Sequence, residues 1–291
     1  MSAAEDTPRP PRVAVIIPCY DDGATLRETV DSVRAQEPCE LVVVDDGSSD
    51  PATLAVCDAL RAEGVTVVQQ ENQGLPAARM AGLAATSARY VYPLDSDDLL
   101  APGALAALAD VLDAESELVG VWGATWAFGE SGTQRREVAR LDAWRITHNT
   151  GMPYAGMFRR DALEAAGGWS LRGGYEDWDL WLGLAERGGQ VRHVSAPALQ
   201  YRVHHGRMWA DAMSRHDQIV TELRRRHPTL WEQRRANWRR SGEPWRVRLL
   251  FPLIGALPRA SSRTRLRCYT TVDDPRHAAE LLVEKLRRAR G

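Results

Sequence analysis

Tyr92-Pro93-Leu94-Asp95-Ser96-Asp97-Asp98-Leu99-Leu100 joins an apolar run to a cluster of carboxylates. The run begins at Ala88 and ends in three aspartates within four residues, and a new helical pattern opens after Gly103. Carboxylates gathered at a strand end repel one another, so a fold that collects them commonly supplies a cation, and oxygen ligands suit Mg²⁺ or Mn²⁺. The alternative is an acidic turn that caps the next helix, since Asp favours turns and N-caps. Taken alone, this stretch leaves both interpretations open.

Apolar strands and amphipathic helices alternate ahead of this stretch. Residues 13–19, VAVIIPC, form a continuous apolar run that is typical of a strand buried on both faces. The pattern then predicts helices over residues 25–36, 52–63 and 76–85 and strands over residues 40–44 and 65–69. This alternation predicts an α/β fold of right-handed βαβ units with a largely parallel central sheet flanked by helices.

Clustered polar residues follow three of these strands: Asp21-Asp22, Asp45-Asp46 and Asp95-Ser96-Asp97. Ligands of parallel sheets bind outside the carboxyl ends of the strands. We therefore expect the three clusters to converge on one edge of the sheet and to form a site there.

The alternation of strands and helices becomes less regular after residue 120, but the sequence still predicts strands and helices there. Strands are expected over residues 119–128, 191–194 and 198–203, and a helix over residues 160–166. A further helix follows Gly173-Gly174, and its first turn contains Glu176 and Asp177. Acidic residues are favoured in a first helical turn by the macrodipole alone, so this turn is not by itself a site.

Composition describes an ordinary globular protein of 291 residues, with 44% hydrophobic and 26% charged residues. The four cysteines are scattered, which indicates free thiols in a reducing compartment, and no apolar run of about 18 residues predicts a membrane span. Residues 1–11 are polar and Pro-rich, so we expect them to be disordered and the protein to be cytoplasmic. Lys285 is the single lysine, which excludes a lysine nucleophile from the main body.

Charge divides the chain into an acidic body and a basic tail. Residues 222–291 carry 18 basic and 7 acidic side chains, whereas the first 221 carry 19 basic and 32 acidic ones. We expect residues 211–291 to form a basic helical extension, with a last amphipathic helix over residues 276–290. The segment from Trp245 to Leu257 is basic and then apolar, and two interpretations remain open for it. It either anchors the protein peripherally on the inner face of the membrane or docks on the domain that precedes it or on a second subunit.

Seven stretches in order resemble family 2 glycosyltransferases, which have the GT-A fold and invert the anomeric centre. They are Ile16-Ile17-Pro18-Cys19-Tyr20, Val43-Val44-Asp45-Asp46-Gly47-Ser48, Asn72-Gln73-Gly74 with Ala78-Arg79, Leu94-Asp95-Ser96-Asp97-Asp98, Phe158-Arg159-Arg160 with Gly167-Gly168-Trp169, Glu176-Asp177-Trp178-Asp179-Leu180-Trp181 and Tyr201-Arg202-Val203-His204. The resemblance implies a catalytic domain over residues 12–210, with a nucleotide-sugar half over 12–100 and an acceptor half over 101–210. It implies sugar transfer from a nucleoside diphosphate sugar, with a UDP-sugar favoured, to a hydroxyl of a glycan or lipid-linked acceptor, as in polysaccharide or glycoconjugate synthesis.

The donor side implied by this resemblance comprises Pro18, Tyr20, Asp46, Arg79, Asp95 and Ser96. Pro18 and Tyr20 would line the base pocket, and Asp46 would bind the base or ribose. Arg79 would pair with the diphosphate or shape the donor pocket, and its alternative is a salt bridge to a neighbouring acid. Family members commonly have Asn after this arginine, whereas Met80 stands here.

The metal implied by the resemblance is Mn²⁺ or Mg²⁺, with Asp97 and His204 as ligands. Asp95 would face the ribose or a metal-bound water, and Asp98 is assigned to the turn. His205 is adjacent to His204 and competes for its assignment.

Asp177 matches the general base of the family, which takes the proton of the attacking acceptor hydroxyl. Glu176 and Trp178 are assigned to acceptor binding. Glu176 could instead orient the base, and Trp178 could instead pack in the core, since its helical spacing also suits a buried face.

Two other functions are alternatives to glycosyl transfer. The first is a non-catalytic nucleotide- or glycan-binding domain on the same fold. The second is a nucleotidyltransferase, which is disfavoured because the loop after the first strand is acidic where such enzymes have a basic one. Nucleic-acid binding is not expected, because the body is acidic and no recognised module is present.

Overall fold

The computed structural model describes residues 10–129, 134–135, 140–203, 212–257 and 261–273. The chain forms two compact units. The first comprises Met1–Leu141, Met152–Arg172 and Glu176–His205, and the second comprises Asp142–Gly151, Gly173–Tyr175 and Gly206–Gly291. Asp142–Gly151 and Gly173–Tyr175, which lie within the first 210 residues, thus group with the C-terminal part of the chain. The expected domain boundary at residue 210 stays a prediction.

The first unit is built on a sheet of nine described strands. They are β1 Val13–Cys19, β2 Glu40–Asp45, β3 Thr66–Gln69, β4 Tyr90–Pro93, β5 Leu99–Leu100, β6 Leu118–Gly129, β7 Gln134–Arg135, β8 Met157–Arg159 and β9 Gln190–Val203. Their order in the sheet is β3-β2-β1-β4-β8-β6-β9-β5, and β7 pairs with β6.

The first four strands form the parallel part of this sheet. β1 pairs in parallel with both β2 and β4, and β2 pairs in parallel with β3. All seven residues of β1 are buried, as the apolar run predicts for a central strand. The predicted parallel pairing is therefore confirmed for β1 to β4. The later strands add antiparallel pairs of β8 with β4 and β6, so the sheet as a whole is mixed.

Six helices belong to the first unit: α1 Gly23–Arg34, α2 Pro51–Ala62, α3 Leu75–Ala84, α4 Ala104–Ala114, α5 Arg160–Ala165 and α6 Glu176–Glu186. Helix α2 begins where the sequence signals it. Asp50 is the N-cap and its carboxylate accepts hydrogen bonds from the backbone N–H groups of Ala52 and Thr53, with Pro51 in the first turn. This cap fixes the start of α2 directly after the polar turn that follows β2.

The long strand β9 differs from its prediction. The sequence predicts two short strands, whereas Gln190–Val203 is one strand that pairs in parallel with β6. Its register against β6 shifts near Pro197, where proline cannot donate a backbone hydrogen bond. Proline therefore marks an irregularity in a continuous strand.

The second unit is helical in its described part. A 3₁₀ turn at Arg145–Thr147 precedes the helices α7 His216–Arg226, α8 Pro228–Glu232, α9 Arg234–Arg240, α10 Trp245–Gly255 and α11 Ser262–Asp273. Helices α8 and α9 are separated by the single residue Gln233. The helix predicted over residues 276–290 lies outside the described residues.

An apolar cluster and an ion-pair group hold this second unit together. The cluster contains Trp144, Val247, Phe251, Ile254 and Tyr269. The Arg145 guanidinium pairs with the Glu243 and Asp273 carboxylates. Within the described parts of the chain, the helices are too short or too polar to cross a membrane.

Candidate active site

The ends of β1, β2 and β4 are joined by hydrogen bonds between their polar turns. Ser96 Oγ donates to Asp22 Oδ2 at 2.7 Å, which links the end of β4 to the end of β1. Asp21 Oδ1 accepts from the backbone N–H groups of Ser49 and Asp50 at 2.6 and 2.8 Å, which links β1 to β2. The expected convergence of the three polar clusters on one edge of the sheet is therefore present.

Asp46 anchors the loop that precedes helix α3. Its Oδ1 accepts from Gln70 Nε2 at 2.6 Å and from the Gln73 N–H at 2.9 Å, and its Oδ2 accepts from the Gly74 N–H at 2.8 Å. Gly47 packs closely on this loop with a φ of +75°, and a Cβ there would lie 2.6 Å from the Asn72 nitrogen. The buried Asp46 carboxylate thus fixes the conformation of the loop before α3. Its direct contact with a base or ribose stays a prediction.

The two residues assigned to the base pocket lie at the end of β1 in contrasting environments. Pro18 is buried within the strand, whereas Tyr20, two residues later, is exposed. An exposed tyrosine ring offers a flat apolar face on which a planar base can stack.

Arg79 is fully buried on helix α3 and connects the two motifs that the resemblance places on opposite sides of the site. Its Nη2 donates to Asp95 Oδ1 at 2.7 Å, and its Nη1 donates to Glu176 Oε1 at 2.9 Å. Burial acts to lower the pKa of the guanidinium, but Asp95 and Glu176 outweigh it, so the net pKa is raised. The rings of Tyr154 and Trp169 also lie beside it, with centroids 5.7 and 5.9 Å from Cζ.

This geometry favours the salt-bridge alternative for Arg79 over direct pairing with a diphosphate. Both terminal nitrogens donate to carboxylates, and the Nε atom is buried without a hydrogen-bond partner in the described residues. Glu176 is also buried, and its pKa is raised by burial, with Arg79 opposing that effect and Asp177 adding to it. Glu176 therefore resembles an orienting carboxylate more than an exposed ligand for acceptor hydroxyls.

Asp177 is the second residue of helix α6 and is half-buried. The three residues before the helix, Gly173, Gly174 and Tyr175, all have positive φ, with values of 91°, 109° and 61°. A positive φ is unusual for tyrosine and marks a constrained backbone immediately before the candidate base.

Trp178 lies on the buried side of α6. Its side chain is 3% exposed, and the neighbouring Trp181 is fully buried, with its indole N–H donating to the Pro153 carbonyl at 2.8 Å. This burial favours the core-packing alternative for Trp178, because a ring that stacks on an acceptor sugar needs an open face.

Arg202 on β9 holds the acidic turn after β4. Its Nε donates to the Asp97 carbonyl oxygen and its backbone N–H donates to Asp98 Oδ1, both at 2.7 Å. Tyr154 also donates its hydroxyl to Asp98 Oδ2. Burial raises the pKa of Asp98 to about 8, with the charge of Asp95 adding to the effect. Asp98 is therefore more than a turn residue, because it links the turn to β9 and to Tyr154.

The residues around Asp97 allow a simple test of the implied metal. Within the described ranges, no three His, Cys, Asp or Glu side chains are grouped so as to hold a metal ion. Asp95 is ion-paired with Arg79 and Asp98 is buried, so the half-buried Asp97 is the candidate ligand of this stretch. Mg²⁺ is commonly bound by one or two carboxylates together with substrate phosphates, so Asp97 fits a cation that binds with the donor. His204, the second predicted ligand, lies outside the described residues.

Two supporting residues were not assigned a role from the sequence. Arg202 stands within a quoted motif, so its position signals importance, but its contacts with Asp97 and Asp98 depend on the strand order. Tyr154 has no sequence signal that would pair it with Asp98, 56 residues away. A separate cavity of about 430 Å³ lies near the amino-terminal ends of β2 and β3, and none of the predicted site residues line it.

Comparisons with known proteins address the family and the fold of this chain. The family model described as glycosyl transferase family 2 matches residues 14–167. An uncharacterized protein y4gI of Sinorhizobium fredii is 30% identical over 206 residues, which are 66% of this chain and 22% of that protein. An N-acetylglucosaminyltransferase of Azorhizobium caulinodans is 31% identical over 207 residues, which are 65% of this chain and 50% of that protein. The chain thus spans no more than half the length of these relatives.

Solved structures with the same fold include S. aureus TarS 1–349 in complex with UDP-GlcNAc. The TM-score is 0.60 at 17% identity, and the match covers 90% of this chain and 72% of that chain. The complex of the same protein with UDP gives a TM-score of 0.57 at 20% identity, over 89% of this chain and 83% of that chain. At this identity the likeness concerns the fold alone, and it confirms the predicted GT-A type architecture with a helical C-terminal part.

The family assignment made from the ordered motifs is therefore confirmed. The matched region makes up more than half of the chain and contains β1 from Ala14 onward, the Asp95-Ser96-Asp97 turn and Arg79. This chain belongs to glycosyl transferase family 2.

Proposed function

We propose that this protein is an inverting, metal-dependent glycosyltransferase. It transfers a sugar from a nucleoside diphosphate sugar, with a UDP-sugar favoured, to a hydroxyl of a glycan or lipid-linked acceptor. Family membership supports the reaction class. The TarS complexes with UDP-GlcNAc and UDP support a uridine donor, and a relative named as a succinoglycan biosynthesis protein supports a role in polysaccharide synthesis.

The observation that carries this proposal is the double ion pair of Arg79. Asp95 belongs to the strand-end cluster where the donor is expected to bind. Glu176 is the first residue of the helix that contains the candidate base. One buried guanidinium therefore holds the donor-side turn and Asp177's helix in a fixed relation. A transfer reaction needs this relation, because the anomeric carbon and the attacking hydroxyl must meet in one geometry.

Asp177 is proposed to accept the proton of the acceptor hydroxyl. As that oxygen forms its bond to the anomeric carbon, the carbon–oxygen bond to the diphosphate breaks on the opposite face and its electron pair leaves with the nucleoside diphosphate. Glu176 is unsuited to the base role, because its carboxylate is buried and paired with Arg79. A base must reach the hydroxyl within about 3 Å, and the half-buried Asp177 is the more accessible of the two carboxylates.

Asp97 is proposed to hold the cation, with His204 as the second protein ligand. When bound, Mn²⁺ or Mg²⁺ would offset the negative charge that develops on the departing diphosphate. Arg202 supports this role of Asp97, since it fixes the backbone of the turn on which Asp97 stands.

Donor binding tests the proposal directly. The purified full chain is titrated with UDP-, GDP- and dTDP-sugars in the presence of Mn²⁺, and binding is followed by calorimetry and release of the nucleoside diphosphate by phosphorus NMR. We expect one nucleotide class, the uridine one, to bind and to be turned over slowly with water as acceptor. A folded protein that neither binds nor hydrolyses any donor would refute the proposal.

A further inference from the structure

Helix α10, Trp245–Gly255, has apolar residues on two opposite faces. Its inner face packs in the cluster with Trp144 and Tyr269. Its outer face, which we define as Trp245, Leu249 and Leu253 together with Leu257 just beyond the end of the helix, consists of residues spaced four apart that are 77%, 55%, 58% and 41% exposed. An exposed apolar face on a helix commonly marks a surface that meets a protein partner or a membrane. Among the residues that the structure describes, the outer face of α10 stays exposed, so it is a candidate docking surface.

The second unit, to which this face belongs, is rich in arginine. Across residues 142–151, 173–175, 212–257 and 261–273 of the second unit, the sequence has fourteen arginines and six carboxylates. Two of those carboxylates, Glu243 and Asp273, are paired with Arg145. Helix α10 contains two arginines and no acidic residue, and Arg239 and Arg240 on the preceding helix are exposed. The rim of the outer face is therefore cationic.

A second aromatic residue extends this surface. Trp238 on α9 is partly exposed, its indole N–H donates to the Arg248 carbonyl at 3.0 Å, and its ring lies 4.6 Å from the Arg248 guanidinium. Tryptophan and arginine together are enriched where a helix meets the headgroup layer of a bilayer, with leucines directed towards the acyl chains.

We propose that the outer face of α10 docks on the surface of an anionic lipid bilayer. Eleven residues are too few to span a bilayer, so the helix lies in the plane of the interface. An anionic surface supplies both requirements of the face, since it offers apolar depth and a negative charge opposite the arginine rim. This proposal does not depend on sugar transfer.

Charge disfavours the two other simple occupants. A second copy of this chain would bring one arginine rim against another. The terminal segment 274–291 carries five basic and three acidic side chains, so it is basic as well and would be repelled by the same rim. A bilayer with anionic headgroups is the occupant that complements both the apolar face and its charge.

Vesicle sedimentation with the full chain tests this inference. We expect the wild-type protein to bind vesicles with 30% phosphatidylglycerol at least tenfold more tightly than pure phosphatidylcholine vesicles, and to lose that preference as salt is raised. The double variant Leu249→Glu, Leu253→Glu should bind the anionic vesicles at least tenfold more weakly. The matched control is Ala55→Glu, Ala59→Glu, which adds the same two charges at the same spacing on the exposed side of α2 and should bind as the wild type does.

A second measurement tests the proposal even if the double variant does not fold. Lipids brominated near the headgroup should quench part of the tryptophan fluorescence of the wild type, and Trp245→Phe should remove a measurable share of that quenching. The proposal is overturned if the wild type does not sediment with anionic vesicles. It is also overturned if the double variant binds like the control, or if the outer-face substitutions abolish a dimer while lipid binding is absent.

Discussion

Asp95 and Glu176 accept hydrogen bonds from the two terminal nitrogens of Arg79, at 2.7 and 2.9 Å. Asp95 lies two residues after strand β4, Glu176 is the first residue of helix α6, and the guanidinium between them is fully buried. A buried cation with two carboxylate partners is costly to disrupt, because removing it leaves negative charges without a partner in a region of low polarity. The pair of contacts makes Arg79 a positioning residue whose effects should appear in stability and in turnover.

Replacing Arg79 with leucine should therefore destabilise the protein and impair catalysis. We expect a loss of about 3–5 kcal/mol in the free energy of unfolding, as for other buried ion pairs that lose one partner. Urea denaturation followed by circular dichroism measures it. Adding Glu176→Gln to Arg79→Leu should restore part of the loss, since it removes one of the uncompensated charges.

The control for Arg79 is Arg61, which pairs with Asp58 on the exposed surface of α2. Arg61→Leu should leave the denaturation midpoint unchanged, because exposed ion pairs contribute little. Equal effects of the two substitutions would contradict the positioning role of Arg79.

Asp46→Ala should weaken donor binding by releasing the loop that carries Gln73 and Gly74. Hydrogen bonds to a charged group contribute about 1.5–3 kcal/mol, and about 1.4 kcal/mol is a factor of ten in affinity. We therefore expect the dissociation constant of the donor to rise about tenfold or more, measured by calorimetry. Asp58→Ala, which removes an exposed carboxylate from α2, should leave it unchanged. Unaltered affinity in Asp46→Ala would show that the loop does not shape the donor site.

The sequence was sufficient to predict the parallel half of the sheet and the meeting of the strand ends. Continuous apolar runs such as residues 13–19 have one favourable environment, and βαβ connections place their carboxyl ends on one edge. The contacts of Asp98 could not be predicted in this way. Asp favours turns in any fold, and its burial depends on Tyr154 and Arg202, which are distant in sequence and reach it through the strand order.

The tryptophans of α6 illustrate a second limit. Trp178 and Trp181 have a spacing that suits either a sugar-binding face or a core face, and periodicity does not distinguish them. The structure buries both. The sequence predicts a salt bridge between Arg79 and a neighbouring acid as one alternative. Its partners Asp95 and Glu176 could not be identified from the sequence, because they depend on how the fold places α6 beside α3.

Removal of divalent cations should abolish sugar transfer while leaving the fold intact. We expect loss of donor turnover in excess EDTA and recovery with Mn²⁺ or Mg²⁺, because diphosphate departure needs charge compensation. Asp97→Asn should raise the cation concentration needed for half-maximal rate by about tenfold, equivalent to about 1.4 kcal/mol of lost binding free energy. Asp58→Asn serves as the control. Full activity in EDTA would contradict the metal dependence.

His148 predicts a pH dependence of stability in the second unit. Burial lowers the pKa of its imidazole to about 3, and the nearby Arg234 adds to the effect. The unfolded chain, with an ordinary histidine pKa near 6.5, binds this proton more readily than the folded protein does, so stability falls as pH drops below about 6.5. Relative to His148→Gln, the wild type should lose up to about 1.4 kcal/mol per pH unit between about pH 6.5 and 4. Parallel stability curves of the two proteins, measured by urea denaturation at each pH, would contradict the buried neutral state.

The substitution Asp177→Asn tests the central claim most directly, with donor affinity and donor turnover measured on the same preparation in the presence of Mn²⁺. The side chain keeps its size but no longer accepts a proton, and general-base catalysis commonly contributes about 10²–10⁴ in rate. The account predicts that Asp177→Asn binds the nucleotide sugar as the wild type does and turns it over at least about 100-fold more slowly. Turnover at the wild-type rate in Asp177→Asn, or no turnover in a wild type that binds the donor, would contradict it.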